Sequence, residues 1–275
     1  MSTSILITGC SSGIGYTCAH ALHKQGFTVI ASCRSQVDVM RLQSEGLTCI
    51  HLDVTDNDSI HLAVQKAIEL TGGHLDAVFN NGAYGQPGAL EDLPTSALRE
   101  QFETNFFGWH ELTQQLIPHF RKNGKGRIIQ NSSVLGFAAM KYRGAYNASK
   151  FALEGWTDTL RLELHNSNIH VSLIQPGPIE TRFRTNALKA FQRWIDIENS
   201  PHSEQYRLQI ARLSKDESNN QFVLPAESCI QPLLHALTAE KPKLRYRVTT
   251  PTKVFAVLKR LLPSRWLDPI LRKAA

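Results

Sequence analysis

Six short apolar runs, each followed by a stretch with helical periodicity, restrict the fold of this chain more than any other feature of its sequence. Neighbouring parallel strands need a crossover connection, so this alternation predicts βαβ units, right-handed crossovers and helices on both faces of a parallel sheet. We therefore expect one α/β domain built on a doubly wound parallel sheet of about seven strands. The predicted strands are residues 4–8, 27–33, 47–52, 75–79, 127–131, 169–174 and 244–249.

Polar residues and glycines follow the predicted strands at their carboxyl ends. In open α/β sheets, ligands bind in the crevice outside these ends. A binding site is therefore expected at this edge of the sheet, where the chain carries Gly9, Arg34, Asp53, Asn80, Ser133 and Pro176.

The turn after the first predicted strand is rich in glycine and opens a helix-like stretch. Glycines let the backbone approach a pyrophosphate, and a helix N-terminus offers free N–H groups and the positive end of a dipole. A plain tight turn would have the same composition, but its place between an apolar strand and a helix favours a dinucleotide site. The predicted phosphate-binding residues are Gly9, Ser11, Ser12, Gly13, Ile14 and Gly15.

Arg34 follows Cys33 at the end of the second predicted strand. Many NAD-binding folds place an acid there, which binds the ribose 2′-hydroxyl. A carboxylate would repel a 2′-phosphate, whereas an arginine can bind it through charge-assisted hydrogen bonds. The sequence thus predicts NADP rather than NAD, and the alternative is a solvated arginine at a strand end.

Tyr146 and Lys150 lie four residues apart in a predicted helix that runs to about residue 165, so they share one face. A cation within a few ångströms lowers the pKa of a phenol, which can then donate or accept a proton near neutral pH. A carbonyl reduction needs this chemistry. Considered alone, however, the two residues could equally form an exposed helix pair.

Together these motifs resemble the short-chain dehydrogenase/reductase family over most of residues 4–182, which implies a Rossmann-like fold. The interval of 13 residues between Ser133 and Tyr146 fits the family and favours Ser133 over Ser132. One departure is Gly82-Ala83, where the family usually has Ala-Gly, and it leaves the backbone geometry beside the cofactor open. The motifs, in the family's order, are Thr8-Gly9-x3-Gly13-x-Gly15, Asp53, Asn80-Asn81, Asn105, Ser133, Tyr146-x3-Lys150, Pro176-Gly177 and Thr181.

The resemblance implies a role for each of these residues. Tyr146 would exchange a proton with the substrate oxygen, and Lys150 would bind the nicotinamide ribose and lower the pKa of Tyr146. Ser133 would hold the substrate oxygen, and Asn105, in a predicted helix over residues 95–120, would position a water that links Lys150 to solvent. The implied cofactor contacts are Asp53 with the adenine amino group, Thr181 and the backbone near Ile179 with the carboxamide, and in addition Val54, Asn80, Asn81, Pro176 and Gly177.

Three of the polar residues also have structural interpretations. Ser133 could form a turn at a strand end, Asn105 could bend a helix and Thr181 could cap one. The histidines show no metal-ligand spacing, so no metal site is predicted.

Residues 183–225 become polar and irregular, and a segment of this length after the sixth strand resembles the family's substrate lid. No arginine or lysine can be singled out to bind substrate charge, so apolar aldehydes or ketones are expected. Four lid residues could line an apolar pocket or form a helical packing face: Phe183, Phe191, Trp194 and Ile195.

Within the family, the glycine-rich turn, Arg34, Asn105-Phe-Phe-Gly108 and Lys241-Pro-Lys-Leu-Arg-Tyr246 look like bacterial NADP-dependent aldehyde reductases related to retinol and 17β-hydroxysteroid dehydrogenases. The leading hypothesis is an NADPH-dependent carbonyl reductase that uses Tyr146. A catalytically idle NADP-binding sensor or scaffold, and a retinol-type or steroid-type alcohol dehydrogenase working in the oxidative direction, are the alternatives. The resemblance also implies a homodimer paired through the helix that carries Tyr146.

The basic charge of the chain is concentrated in its last residues. The net charge is +6, yet residues 241–275 alone hold ten Lys or Arg and one acid, Asp268. Since no nucleic-acid-binding motif accompanies this charge, nucleic acid is not expected as a partner. We expect a domain over residues 1–250 and a basic amphipathic helical extension over 251–275, which either lies on a membrane surface or docks on the protein itself.

The cellular location is predicted from what the sequence lacks. It has five cysteines, an odd number without a CxxC pair, which suits reduced thiols. No signal peptide or run of 18 apolar residues is recognisable, so a cytoplasmic protein is expected. Peripheral contact with the inner face of a membrane is the alternative.

Overall fold

The computed structural model describes residues 2–214 and 221–273, and it contains the predicted sheet. The sheet has seven parallel strands in the order β3-β2-β1-β4-β5-β6-β7. This order reverses between β1 and β4, so a crevice opens beyond their carboxyl ends. The strands are β1 (Ser4–Ile7), β2 (Thr28–Cys33), β3 (Thr48–His51), β4 (Ala77–Asn80), β5 (Gly126–Asn131), β6 (Ile169–Gln175) and β7 (Arg245–Arg247).

Helices cover both faces of the sheet, which confirms the predicted α/β class. They are α1 (Gly13–Lys24), α2 (Gln36–Ser44), α3 (Asn57–Leu70), α4 (Thr95–Phe102), α5 (Gly108–Lys122), α6 (Gly144–Glu163), α7 (Phe183–Trp194), α8 (Ser203–Leu213), α9 (Ile230–Thr238), α10 (Thr250–Leu261) and α11 (Ser264–Lys273).

The alternating side chains of the strands build two hydrophobic cores. Ile5 and Ile7 of β1 point to the face covered by α1 and α9, where they pack with residues such as Leu22. Leu6 points to the opposite face, which α3, α5 and α6 cover with residues such as Leu112. Full burial of such a side chain contributes roughly 1.5–3 kcal/mol, so both faces hold the strand ends firmly in place.

Two helices differ from their predicted course. The predicted helix over residues 95–120 is divided into α4 and α5 by a π-helical turn, Glu103–Phe107, which contains Asn105. The C-terminal extension, expected as one helical segment, consists of α10 and α11, which are separated just before Pro263. A π turn inserts one extra residue into a helix and often marks a functional site, and proline cannot continue a helix.

The segment predicted as a lid contains α7 and α8. Residues 215–220, which belong to the same predicted segment, lie outside the described residues. In the described part of the chain, no helix is long and apolar enough to cross a bilayer.

Candidate active site

The three motif glycines form a cradle that tolerates no larger residue. Gly9 and Gly13 have φ angles of +69° and +58°. A Cβ atom on Gly9 would lie 2.4 Å from the Cα of Gly82, and one on Gly13 would lie 2.9 Å from Thr181. A Cβ on Gly15 would lie 2.4 Å from the carbonyl oxygen of Gly9. The backbone is therefore bare and concave where a pyrophosphate would bind.

The N-terminus of α1 completes this cradle. Ser12 is its N-cap residue, but the side chain makes no capping hydrogen bond, so the first N–H groups are left for an anion. Arg41 of α2 donates a hydrogen bond of 2.8 Å to the carbonyl oxygen of Ser11 and stacks over Tyr16. Ile14 packs against the core beneath. The residues present thus fit a dinucleotide.

The adenosine end of the crevice lies beyond β2 and β3. Arg34 is exposed there. The Oδ1 atom of Asp53 accepts hydrogen bonds from the backbone N–H and hydroxyl of Thr55, at 2.9 and 2.8 Å. Val54 fits closely against Gly108, whose added Cβ would lie 1.8 Å from the Val54 carbonyl oxygen. This packing holds Asp53 and Val54 at the mouth of the crevice.

The two asparagines after β4 are placed differently from each other. The side chain of Asn80 is fully buried and donates to Thr113 at 3.0 Å, so it supports the core and does not face the crevice. The amide of Asn81 donates to the carbonyl oxygen of Thr8 at 2.9 Å and accepts from Asn131 at 2.8 Å. Asn81 therefore ties the ends of β1, β4 and β5 together. The cofactor contact expected of Asn80 stays a prediction.

Ser133 and Tyr146 meet at the centre of the crevice. The Tyr146 hydroxyl is hydrogen-bonded to the Ser133 side chain, which also accepts from the backbone N–H of Leu135 at 3.1 Å. Ser132 points away and donates to Glu154 at 2.5 Å. The choice of Ser133 over Ser132 agrees with this geometry, and the structural interpretation of Ser133 as a turn former holds as well.

Lys150 is buried below Tyr146, and its ammonium donates to the carbonyl oxygen of Asn131 at 2.8 Å. The ammonium nitrogen also lies 4.1 Å from the ring centroid of Trp109, which is cation–π distance. Burial lowers the pKa of Lys150 to about 7, and the negative charge of Glu154 offsets only part of this effect.

The prediction that the pKa of Tyr146 is lowered is wrong for the protein without its cofactor. Burial raises the pKa of Tyr146 to about 12, and the hydrogen bond with Ser133 offsets only part of the increase. The Lys150 nitrogen lies 5.7 Å from the centre of the Tyr146 ring, and its own pKa near 7 leaves it partly uncharged at neutral pH. Desolvation therefore exceeds the charge effect, and the phenol is held in its protonated form.

Asn105 lies in the π turn and is fully buried. Its side chain donates to the carbonyl oxygen of Tyr84 at 2.9 Å and accepts from the Tyr84 N–H at 3.2 Å. It also donates to the hydroxyl of Ser149, one residue before Lys150, at 3.4 Å. Both the structural interpretation and a place beside Lys150 are consistent with these contacts.

The nicotinamide end of the crevice lies beyond β6. Pro176 is buried, and a Cβ on Gly177 would lie 2.1 Å from the hydroxyl of Thr249, just before α10. Ile179 forms an isolated β-bridge with Leu224. This end of the crevice is therefore built on glycine and on the start of the C-terminal extension.

Thr181 joins the two halves of the cofactor crevice. Its side chain covers Gly13, and its hydroxyl accepts a hydrogen bond of 3.2 Å from the N–H of Phe183 at the start of α7. The hydrogen bond from Phe183 fits the alternative role at a helix start, and the expected contact with the carboxamide stays a prediction.

The comparisons with known proteins agree with this arrangement. A family model described as short chain dehydrogenase matches residues 3–191. The chain belongs to this short-chain dehydrogenase/reductase family. It is accordingly an oxidoreductase that acts on CH–OH or C=O groups with NAD or NADP.

Two relatives illustrate the range of this short-chain dehydrogenase/reductase group. The chain is 43% identical over 272 residues to the uncharacterized oxidoreductase YbbO of Escherichia coli strain K12, with 99% of this chain and 95% of that protein covered. It is 29% identical to retinol dehydrogenase 8 of Bos taurus, with 95% of this chain and 86% of that protein covered. The expected relation to retinol dehydrogenases is therefore present, though distant.

Solved structures of other family members share the fold. A short-chain dehydrogenase/reductase from Burkholderia phymatum in complex with NAD superposes with a TM-score of 0.77 at 22% identity, covering 94% of this chain and 92% of that chain. A short-chain dehydrogenase from Burkholderia cenocepacia in complex with NADP gives 0.76 at 20% identity, covering 98% and 97%. Both forms of the nicotinamide cofactor thus occur on this fold.

The order Gly82-Ala83, where the family motif has Ala-Gly, has little effect on the packing of this dehydrogenase. A Cβ on Gly82 would lie 3.3 Å from Gly9, a contact that requires a shift of only a few tenths of an ångström. Ala83 does not need the positive φ angle that favours glycine, because Tyr142 and Asn168 are the non-glycine residues with positive φ in the described chain. The exchanged order, Gly82-Ala83, is compatible with the cradle.

Three residues of the dehydrogenase site had no signal in the motifs. Trp109 covers Lys150, Arg41 holds the glycine-rich turn, and Glu154 accepts from both Ser132 and Gln175. Only Glu154 could have been found from spacing, because it continues the four-residue interval of Tyr146 and Lys150 along α6. The other contacts join segments that are far apart in the chain.

The lid residues separate into two groups. Phe183 packs edge-on against Tyr146, with ring centroids 5.3 Å apart. Phe191 and Ile195 are buried in a separate cluster with Tyr206, so the packing-face interpretation applies to them. Trp194 stacks on a neighbouring arginine. Only Phe183 therefore reaches the catalytic residues.

No metal centre is found in the part of the chain that the structure describes. Within residues 2–214 and 221–273, no group of three or more His, Cys, Asp or Glu side chains is arranged to hold an ion. The five cysteines are free and buried.

Proposed function

We propose that this protein is an NADPH-dependent reductase that converts aldehydes or ketones with apolar surroundings to alcohols, with Tyr146 as the proton donor. The observation that carries the proposal is the placement of Ser133, Tyr146 and Lys150 together, with the buried Lys150 nitrogen 5.7 Å from the centre of the Tyr146 ring. All three lie in the crevice that also contains the glycine cradle.

The reaction requires a hydride at the carbonyl carbon and a proton at the carbonyl oxygen. The bound nicotinamide supplies the hydride. Ser133 can donate a hydrogen bond to the carbonyl oxygen, and Tyr146 can then give it a proton as the C=O double bond becomes a C–O single bond. The raised pKa of Tyr146, about 12, supports the reductive direction, since the phenol keeps the proton that it has to donate.

Lys150 and Asn105 assist this step by their positions. Lys150 is fixed by Asn131 and Trp109, where a ribose hydroxyl and the phenolate left after proton transfer would both benefit from its charge. Asn105 holds the loop after β4 and the helix α6 in one geometry through Tyr84 and Ser149. We assign it the placement of the water that renews the proton.

The preference for NADP is supported by Arg34. It is exposed at the end of β2, with the buried Cys33 in the place where a carboxylate would disfavour a 2′-phosphate. The ratio of kcat/KM for NADPH over NADH should be above ten in the wild type and should fall about tenfold or more in Arg34→Gln. Equal use of both cofactors by the wild type would contradict the assignment.

A cofactor-oxidation screen over medium and long aldehydes, retinoids, steroids and sugars tests the proposed activity. Tyr146→Phe should lower kcat by about 100-fold or more, because it removes the proton while it keeps the ring. NADPH binding, followed by fluorescence, is the control and should persist. Undiminished turnover in Tyr146→Phe would contradict the proton donor.

Two other functions would give different results in the same screen. A sensor or scaffold would bind NADPH and turn over no substrate, whereas an alcohol dehydrogenase of the retinol or steroid type would work best in the oxidative direction. The complete set of Asn105, Ser133, Tyr146 and Lys150 supports an enzyme, since a binding protein does not need the phenol.

We propose a homodimer paired through α6 and a location in the cytoplasm. Phe151 and Leu162 of α6 and Phe107 beside α5 are exposed apolar residues on neighbouring helices, as an interface requires. The free cysteines support a reducing compartment. Light scattering should give twice the chain mass for the wild type and one chain for Phe151→Asp/Leu162→Asp, and a monomeric wild type would contradict the dimer.

A further inference from the structure

Three arginine side chains meet between the start of α6 and the lid. Arg143 and Arg212 both donate to the side-chain oxygen of Gln209, at 3.5 and 3.0 Å. Arg184 donates to the carbonyl oxygen of Arg212 at 2.7 Å. Two guanidinium groups thus share one neutral acceptor, and a third is anchored beside them.

A cleft lies on the other side of Gln209. It is lined by Gln209 and Gln205 of α8, Tyr142, and two further cations, Lys141 and Arg272. The cleft and the three arginines therefore form one basic site around Gln209, to which α6, the lid and α11 all contribute.

The charges of this site are not neutralised by carboxylates of the described residues. The three arginines bond only to carbonyl and amide oxygens, including that of Tyr142, and Arg272 bonds to the backbone of its own helix. Burial and the charge of Arg212 lower the pKa of Arg143 to about 10. Grouping like charges in this way is unfavourable unless an anion joins them.

The other lid arginines show the usual arrangement. Arg193 forms an ion pair with Glu100 at 3.0 Å, and Arg207 forms one with Glu198 at 3.3 Å. Among the described residues, the cluster therefore differs from the other lid arginines in having no carboxylate partner, and Arg207 provides a matched control on the same helix as Arg212.

The basic site lies near the catalytic tyrosine. Arg143 is the N-cap residue of α6 and precedes Tyr146 by three residues, while Arg184 follows Phe183, whose ring contacts that of Tyr146. With a rise of about 1.5 Å per residue, the backbone of Arg143 lies roughly 5 Å along the helix axis from that of Tyr146.

We propose that this cluster binds the acidic end, carboxylate or phosphate, of an elongated carbonyl substrate whose carbonyl group reaches Tyr146. Arginine forks match both anions and would bind them through charge-assisted hydrogen bonds. The inference rests on the proposed reductase function and narrows its substrates to amphiphilic carbonyl compounds. It differs from the sequence-based expectation that no basic residue could be singled out for substrate charge.

Matched substrates test the carboxylate form. The wild type should reduce 12-oxododecanoate with a KM about tenfold or more below that for its methyl ester, because charged hydrogen bonds contribute ~1.5–3 kcal/mol. The preference should weaken as salt is added. The phosphate form is tested with a phosphate-terminated aldehyde of equal length. Equal KM values for both acids and the ester would overturn the proposal.

Arginine substitutions separate this site from a general charge effect. Arg184→Gln and Arg212→Gln should each remove most of the preference for the acid and leave dodecanal turnover unchanged, while Arg207→Gln should retain the preference. Arg212 is exposed and Arg184 is half-buried, so both variants should fold, which thermal unfolding checks. If Arg207→Gln had the same effect as Arg212→Gln, the specific site would be refuted.

A binding measurement distinguishes failure of this inference from failure of the proposed function. Calorimetric titration with dodecanedioate needs no turnover and should detect binding to the wild type and to Arg207→Gln, but not to Arg184→Gln/Arg212→Gln. An inactive protein with this binding pattern would refute the reductase alone. An active protein without dodecanedioate binding would refute the acidic-substrate site alone.

A second surface, on α10 and α11, is apolar and unpartnered in the described chain. One side of this extension docks on the protein, where Ala256 and Leu267 are buried. The other side exposes large apolar side chains, among them Val257, Leu261 and Trp266 at 52%, 73% and 66% exposure, together with Val254 and Ile270. Docking on the protein, one of the two expected outcomes, thus applies to one side of the extension, and the other side is exposed.

Basic residues surround this apolar surface. The two helices carry one acid, Asp268, against six bases: Lys253, Lys259, Arg260, Arg265, Arg272 and Lys273. A second copy would bring like charges together, whereas anionic lipids would neutralise them, and tryptophan and leucine can enter the interface between lipid headgroups and acyl chains. We propose that α10 and α11 bind an anionic membrane surface without crossing it.

Flotation with vesicles tests this contact on the full chain. The wild type should float with phosphatidylglycerol vesicles and much less with phosphatidylcholine vesicles. Leu261→Gln/Trp266→Gln should stay in solution, while the control Val37→Gln/Leu62→Gln, which changes exposed apolar residues elsewhere, should float as the wild type does. Absence of wild-type flotation, or equal flotation of Leu261→Gln/Trp266→Gln, would refute the membrane surface.

Discussion

The crevice at the strand ends and the lid of α7 and α8 are stabilised by different kinds of contact. In the crevice, the contacts involve the backbone: Gly9 lies against Gly82, and the ammonium of Lys150 donates to the carbonyl oxygen of Asn131. In the lid, side chains meet side chains: the hydroxyl of Tyr206 donates to Asp92. The crevice is therefore a rigid place for chemistry, and the lid is a part that can change with the substrate.

This comparison makes separate predictions for activity and for substrate preference. Changes in the crevice should lower turnover or cofactor binding whatever the substrate, whereas changes in the lid should alter KM for some substrates and leave kcat nearly constant.

Replacement of Lys150 should have the largest effect on activity. Lys150→Met should lower kcat by about 100-fold or more, because the charge beside Tyr146 is lost. Its stability should not fall in proportion, since the folded protein no longer has to bury an ammonium. Thermal unfolding and turnover measured on the same samples test this, and a large loss of both together would contradict a functional reason for burying the lysine.

We also expect the stability difference between the wild type and Lys150→Met to depend on pH. The pKa of Lys150 is lowered from 10.5 to about 7 in the folded state, so between these values the unfolded chain binds the additional proton. The unfolding free energy of the wild type, relative to Lys150→Met, should therefore rise as the pH increases from 7 to 10.5. A relative stability that is constant over this range would contradict the lowered pKa.

Replacement of a motif glycine should have the next largest effect. Gly15→Ala places a Cβ 2.4 Å from the carbonyl oxygen of Gly9 and should destabilise the fold by about 1–3 kcal/mol and weaken NADPH binding. Gly82→Ala is the control, because its added Cβ would lie 3.3 Å from Gly9, and it should change stability by no more than about 0.5 kcal/mol. Chemical denaturation and NADPH titration distinguish the two, and equal behaviour would contradict the cradle.

A lid substitution should have a smaller and more selective effect. Tyr206→Phe leaves the N–H of Ala89 without its 2.9 Å acceptor and removes the bond to Asp92, which should cost about 1–3 kcal/mol of stability. Because the cluster holds the lid, KM for long substrates should rise several-fold while kcat stays within about twofold of the wild type. A loss of kcat comparable to that of Lys150→Met would remove the distinction between lid and crevice.

The smallest effect is expected where this chain differs from its family. Gly82→Ala adds a Cβ 3.3 Å from Gly9, so it should change stability and NADPH affinity by no more than about 0.5 kcal/mol. A loss of NADPH binding like that of Gly15→Ala would show that Gly82 is required in the cradle.

The parts that sequence reasoning could predict are the local ones. Gly9, Gly13 and Gly15 indicate a tightly constrained backbone, and the four-residue interval between Tyr146 and Lys150 indicates a shared helix face. Both features depend only on residues that are close in the chain. The division of the helix at Asn105, the burial of Asn80 and the convergence of Arg143, Arg184 and Arg212 depend on contacts across many residues. No periodicity encodes such contacts, so they required the three-dimensional structure.

The pKa of Tyr146 shows the same limit within a single residue. The spacing to Lys150 correctly placed a cation near the phenol, but burial, which the spacing does not report, has the larger effect on its pKa. The spacing therefore identified Tyr146 and Lys150 as neighbours. It predicted a lowered pKa for Tyr146, whereas the pKa is raised in the protein without its cofactor.

The pH dependence of catalysis tests the role of Tyr146 most directly. Measured as kcat/KM for an aldehyde with NADPH, the reduction should fall at alkaline pH, where a phenol of raised pKa loses its proton. The reverse oxidation should rise with pH over the same range, and Tyr146→Phe should abolish both trends. An alkaline fall of the reduction rate that persists in Tyr146→Phe would contradict the assignment of this tyrosine as the proton donor.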